Sequence, residues 1–216
     1  MKNPLRLIIR TLTLVAMCFL FLLMFEQAWA ACEPKINAQC EGARLNRLDW
    51  RNANLAGGNF RNANLRHTNL AGADLKGADL RGANLQFARL ERSDLTGANL
   101  EGADLRWANM ERSTLAHARF VGAQMSKADL EDADISGALL GGADLTRADL
   151  INTDLQRADL QKARLDGAYL NYANLKAANL SGASARRARF IGVRLSGATW
   201  LDGKPCKTPS IGTCNQ

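Results

Sequence analysis

Ala73-Asp74-Leu75-Lys76-Gly77-Ala78-Asp79-Leu80-Arg81-Gly82-Ala83-Asn84-Leu85 contains the rule that most of this chain obeys. Leu returns every fifth residue, Ala stands two places before it, Asp or Asn lies between, and Gly is frequent at the fifth position. The register holds outward from here over residues 43–200, beginning Leu45, Trp50, Leu55, Phe60 and closing Ala185, Phe190, Leu195, Trp200. An α-helix advances about 100° per residue, so a period of five would wind the Leu positions around its surface. A strand has period two, and an odd spacing would throw alternate Leu to opposite faces. Recurrent Gly also costs a helix about 1 kcal/mol each relative to Ala. The backbone that keeps every Leu on one side bends once per repeat, always in the same sense. Four such bends close a square coil of about twenty residues. Coils then stack at about 4.8 Å, with Leu on the axis and Ala at the tighter inward site.

The A-[DN]-L-x-x pattern over residues 43–200 resembles the pentapeptide-repeat family. The resemblance implies an all-β fold, a right-handed quadrilateral β-helix of about eight coils. It implies little about activity, because a shared fold does not carry a shared function. Leu48, Gly58, Thr68, Ser93, Ser113, Thr153 and Val193 depart from Ala at its site, and Ala185 departs from Leu. These departures bear on local packing and not on the fold.

Residues 1–30 follow a different logic. Lys2, Arg6 and Arg10 precede an uncharged apolar run from Thr11 to Phe25, and Ala28-Trp29-Ala30 supplies an A-x-A site. The expectation is an N-terminal signal helix cut after Ala30, and export to the periplasm or beyond. A retained membrane anchor and a lipoprotein are the alternatives. The apolar run falls short of the ~20 residues of a spanning helix, and Trp29 stands where a lipobox has a Leu-like residue. The chain therefore divides into a signal peptide (1–30), an N-terminal capping segment (31–42), the repeat region (43–202) and a C-terminal disulfide cap (203–216).

Cys18 belongs to the signal, whereas Cys32, Cys40, Cys206 and Cys214 flank the repeats, two on each side. An even number in an exported chain predicts disulfides, and four cysteines allow three connectivities. The ends of an eight-coil stack are separated by roughly eight spacings of 4.8 Å. Only Cys32–Cys40 with Cys206–Cys214 survives that geometry. The same separation prevents the four thiols from sharing one zinc.

Residues twenty apart should share a column, which makes the surface legible. One column reads Arg47, His67, Phe87, Trp107, Lys127, Arg147, Gly167, Arg187, and beside it runs Asn46, Arg66, Gln86, Arg106, Ser126, Thr146, Asp166, Arg186. The functional reading is a docking stripe for a polyanion, a glycan or an acidic protein, with cation–π support from neighbouring Arg and Lys. The plainer reading is a solvated face with two aromatics shielding backbone. On a neighbouring face, Glu91, Glu111 and Glu131 sit beside Arg92 and Arg112, which reads as ordinary surface ion pairs. The Asp and Asn ladders at the middle repeat position read as side chains bonded to turn amides, in preference to a calcium site.

No constellation of catalytic chemistry accompanies the repeat. His67 and His117 are two and a half coils apart and face opposite ways, and no nucleophile elbow, phosphate loop or metalloprotease motif occurs. A convex prism also lacks the usual catalytic concavity. The expectation is a non-enzymatic scaffold or protein-interaction module in the bacterial envelope, with no cofactor and no metal. Its partner is an unidentified envelope protein. The alternative is an anionic polymer, glycan or membrane surface held by the basic face. Net charge is +7, and loss of residues 1–30 lowers it by two, so the support from charge is modest. The family resemblance also brings in cytoplasmic members that mimic DNA and occupy gyrase. That role implies an acidic rod in the cytosol, and neither nucleic acid nor gyrase is expected for this basic chain.

Overall fold

Each quintet ends in a corner. Ala53 N–H donates to Trp50 C=O at 3.1 Å, Ala63 to Phe60 at 3.0 Å, and Ala73 to Leu70 at 3.0 Å. The second residue within each corner has positive φ, 57° at Asn52, 54° at Asn62 and 69° at Gly72. A bond from residue i+3 back to i around a left-handed i+2 is a type II turn. The conformation recurs at every position ending in 2 or 7 from Asn37 to Gly197. Gly enters it with no Cβ penalty, which accounts for its frequency there.

The corners bring each residue beside the one twenty further on. Asn54 pairs with Asp74, Asn59 with Asp79, Asn64 with Asn84 and Asn69 with Arg89, all parallel, and the register runs from Gln39↔Asn59 to Asn179↔Thr199. Leu75 N–H donates to Asp94 C=O at 2.7 Å, and Asp94 N–H donates back to Ala73 C=O at 2.9 Å. The result is a four-sided β-helix with a Leu column on each side. The computed structural model describes residues 32–216, of which Pro34–Gln216 form one compact unit. The expected signal helix and its cleavage site lie outside the described residues.

The leucines at the repeat's Leu site from Leu55 to Leu180 are buried, with Ala73, Ala83 and Ala103 equally so at the inner corner. Each Leu removed from water contributes about 1.5–3 kcal/mol before chain entropy is counted against it. The departures from Ala resolve individually. Thr68 and Thr153 send their hydroxyls down one coil to the carbonyls of Leu45 (2.7 Å) and Leu130 (2.9 Å). Ser93 and Ser113 bond Leu90 and Met110 within their own turns, both at 2.6 Å. Gly58 answers to Phe60, because a Cβ at 58 would run into the Phe60 ring. Leu48 remains partly exposed in the first coil.

The Asp and Asn ladders do what short polar side chains do at bends. Asn64 Oδ1 accepts Arg66 N–H at 3.2 Å, Asp74 Oδ1 accepts Lys76 N–H at 3.1 Å, and Asp134 Oδ1 accepts Ser136 N–H at 2.9 Å. Where the middle residue is Asp or Asn, one carboxylate or amide oxygen thus satisfies the first amide of the corner.

The coil begins earlier than residue 43. Asn37 is already left-handed, Gln39 already pairs with Asn59, and Ala38 and Cys40 are buried at the Ala and Leu sites. Cys40 passes for a Leu because a half-cystine is a small apolar group, so the expected capping segment is partly first coil. Trp50 covers the floor, edge-on to Phe60 with centroids 6.2 Å apart. At the other end Phe190 and Trp200 meet edge-on at 5.3 Å. There the tail folds back in antiparallel pairings, Arg194↔Ile211 and Thr199↔Pro205. Cys206 and Cys214 are joined with Cα atoms 5.0 Å apart, and Cys32 and Cys40 are each disulfide-bonded. The Thr208–Pro209 peptide is cis.

The Gly58–Phe60 pairing is testable. Gly58→Ala should destabilise the rod by about 1–3 kcal/mol through overpacking. Adding Phe60→Leu should return most of that loss in a thermal melt, and a neutral Gly58→Ala would refute the pairing.

Candidate interaction face

The predicted column exists. Arg47, His67, Phe87, Trp107, Lys127, Arg147, Gly167 and Arg187 all occupy the left-handed corner position, with φ between 57° and 71°. That conformation disfavours bulky side chains, yet two aromatics and an imidazole follow one another through three coils. Their rings stack on each other. His67 and Phe87 lie 4.9 Å apart at 13°, and Phe87 and Trp107 lie 6.2 Å apart at 9°. Lys127 closes one end, its Nζ 4.0 Å from the Trp107 centroid, and the Arg66 guanidinium lies 5.3 Å from the Phe87 centroid. The column is therefore a π-stack with cationic contacts, held by attraction of positive charge to the ring quadrupole.

This arrangement decides what the face can offer. Trp107 is 50% exposed and Phe87 37%, but the ring faces are directed at neighbouring coils and the edges at solvent. A sugar or base needs a free ring face to stack on. Ring edges carry the positive part of the quadrupole, so edges and cations together favour anions.

Not all the predicted cations are available. Arg106 grips Asp104 with both arms of its fork, Nε at 2.9 Å and Nη2 at 2.7 Å, while Gln86 donates to the same carboxylate at 2.6 Å. Burial pushes the Asp104 carboxyl upward, and the bonds from Arg106 and Gln86 outweigh it, leaving its pKa below the usual range. Arg186 does the same with Asp166, through Nη2 at 3.1 Å and its own backbone N–H at 2.8 Å. Asp166 is lowered to about 2, first by the Arg186 side chain and then by that backbone bond. Among the described residues, Arg47, Arg66, Lys127, Arg147 and Arg187 have no ion-pair partner.

A shallow hollow of about 400 Å³ interrupts the column between Arg147 and Arg187. It exists because residue 167 is Gly, and a Cβ there would press on the Arg147 side chain at 3.3 Å. Thr146, Asp166 and Arg186 complete its wall. Sequence reading placed these residues on one face but missed both the neutralised arginines and the hollow. The signal was present in part, since Asp104-Leu105-Arg106 sets an acid two residues before a base on one strand edge. The Asp166–Arg186 pair needed the twenty-residue column. On the adjacent face Arg112 bridges Glu111 at 3.1 Å and Asp132 at 3.3 Å, as expected of exposed ion pairs.

The Asp166 clamp carries a definite pH signature. Its folded pKa is depressed, so its contribution to stability is present above the ordinary carboxylate range and falls away as pH drops toward 2. An NMR titration of the Asp166 carboxyl should show its midpoint near 2, and Arg186→Gln should raise it only part of the way to the ordinary range, because the residue-186 N–H and the Ser184 hydroxyl still donate to it.

The sequence profile described as pentapeptide repeats (8 copies) matches residues 36–70, 59–97, 93–132, 128–167 and 163–199. The solved structure of full-length QnrB1, a plasmid-mediated fluoroquinolone resistance protein, superposes with a TM-score of 0.67 at 20% identity. That match covers 78% of this chain and 88% of the other. HetL, a pentapeptide repeat protein involved in heterocyst differentiation regulation from the cyanobacterium Nostoc sp. strain PCC 7120, is 28% identical. It covers 84% of this chain and 97% of its own, at a TM-score of only 0.30. The likeness to QnrB1 is one of fold. No curated protein sequence matches the chain.

Proposed function

The chain belongs to the pentapeptide-repeat family, and from that premise we propose that it is an exported, non-enzymatic rod whose outer faces hold proteins of the bacterial envelope. The observation that carries this reading is the filled interior. Among the described residues the axis of the coils is filled by buried Leu and Ala, joined by Phe60, Met110, Phe120, Met125 and Ile135, and the hollows on the outside are shallow. A stack of coils that each contact only their neighbours makes a stiff platform with side chains at fixed spacing. The basic segment, apolar run and A-x-A site of residues 1–30 support export, as does the placing of the mature cysteines outside the repeats.

A second reading uses the stripe itself, with an anionic polymer or membrane surface held by Arg47, Arg66, Lys127, Arg147 and Arg187. Their lack of carboxylate partners favours it. The ring stack favours anions at its edges over a glycan lying flat on its faces. Occupation of gyrase by DNA mimicry fits poorly, since that role asks for acidic faces and this stripe is cationic.

Two measurements test these readings. Cell fractionation with mass spectrometry should find a chain lacking residues 1–30 in the envelope, and full-length protein in the cytosol would overturn export and restore the gyrase reading. For the stripe, Phe87→Ala and Trp107→Ala combined with Lys127→Gln and Arg147→Gln should abolish retention on heparin at low salt. Unchanged elution would leave the protein-holding rod alone.

A further inference from the structure

The C-terminal tail covers only part of the last coil. Leu195, Gly197 and Trp200 donate main-chain bonds to the carbonyls of Ser210 (2.8 Å), Cys206 (3.1 Å) and Lys204 (2.8 Å). Among the described residues, the two sides that carry Ala185 and Phe190 receive no such strand. One coil below, Leu165 N–H donates to Ser184 C=O at 2.7 Å and Leu170 N–H to Arg189 C=O at 2.9 Å. At the top, the N–H groups of Ala185, Arg187 and Phe190 and the C=O groups of Ala183 and Ala188 make no corresponding bond among the described residues. Leu165 and Leu170 are fully buried, whereas Ala185 and Phe190 are half-exposed. These are two short sheet edges meeting at the Arg186–Arg187 corner, with donors and acceptors free to pair with a further segment that follows the same bend.

The charge around the edge selects the occupant. Arg187 and Arg189 flank it directly and are exposed, Arg194 follows on the next side, and the Gly167 hollow opens beside Arg187. The nearby acid, Asp166, is already held by Arg186. Pairing of two copies edge to edge would set these arginines against one another. We propose that the open edge from Ala183 to Phe190 takes an acidic segment of a partner protein by strand addition, the segment bending once over the Arg186–Arg187 corner as the coils below do. Main-chain bonds to Ala185, Arg187 and Phe190 give the pairing, and carboxylates on the partner's alternate residues meet Arg187 and Arg189. The proposal rests on the reading of the rod as an interaction module and specifies where it binds and what.

The test uses the full chain and a short labelled peptide of alternating Glu and Thr. Fluorescence anisotropy should show binding, and NMR shift changes should concentrate at Ala183 to Phe190. N-methylation of the peptide backbone at alternate residues should weaken binding by about tenfold or more, since the side chains are unchanged and the main-chain bonds are lost. Ala185→Pro should do the same with an unchanged melting temperature, because the Ala185 N–H has no partner to lose. Arg187→Glu with Arg189→Glu should also remove binding and does not alter the backbone. Equal affinity for the N-methylated peptide, shifts centred on Phe87, Trp107 and Lys127, or edge-to-edge dimers by sedimentation would each overturn the proposal. A rod that still captures envelope proteins but ignores this peptide sinks the edge alone. A rod that captures neither sinks the module reading as well.

Discussion

The left-handed residue at each corner is the constraint from which the rest of the structure follows. A non-glycine residue in that conformation is disfavoured by about 1–2 kcal/mol, and this chain asks it of Arg, Asn, Lys, His, Phe and Trp. What holds the residue there is a set of bonds converging on it. Its own N–H donates to the coil above, as Arg112 does to Glu131 at 2.9 Å, and the residue after it closes the turn, as Ser113 does to Met110 at 3.1 Å. Where Asp or Asn precedes the corner, the amide before it is met by the Asx oxygen, as Glu111 N–H is by Asn109 at 2.9 Å. Each corner thus relies on the coil stacked upon it. Corners in the last coil have less support, which makes the ends the places where pairing and crosslinks matter most.

Within that frame the aromatic column is a local solution to a local problem. Phe87 and Trp107 take a position where Gly fits more easily, and they are stabilised there by rings and cations above and below. The same contacts that make the column tolerable determine its chemistry, since a ring face used for stability is not free for a ligand. Cation placement is governed similarly. Arg106 and Arg186 are drawn down onto carboxylates of their own face, while Lys127 is drawn onto a ring and keeps its charge accessible.

The period of five, the square coil, the shared columns and the role of Asp and Asn at bends were all legible in residues 43–200, because each depends on spacing alone. Other features depend on what a side chain meets in three dimensions. Gly58 looked like a lapse until the Phe60 ring was seen to occupy its space. Cys40 was read as a crosslink and is also a core residue, because the repeat tolerates it at the Leu site. Phe87 and Trp107 were expected stacked one coil apart and are, but the extension of that stack to His67 is a matter of torsion angles that spacing does not encode. The antiparallel return of residues 203–216 could not be inferred either, since the tail has left the repeat and obeys no period.

The register of twenty has a consequence for how such a chain can change length. Removal of one quintet leaves every remaining Leu pointing inward, so the interior survives. Everything downstream, however, is carried round by a quarter turn. A lost quintet between Trp107 and Lys127 would rotate the lysine off its ring and onto a different wall. Only the loss or gain of a whole coil keeps the outer pattern in phase. Interior and exterior are therefore written in two nested frames, and insertions that are silent in the first rewrite the second.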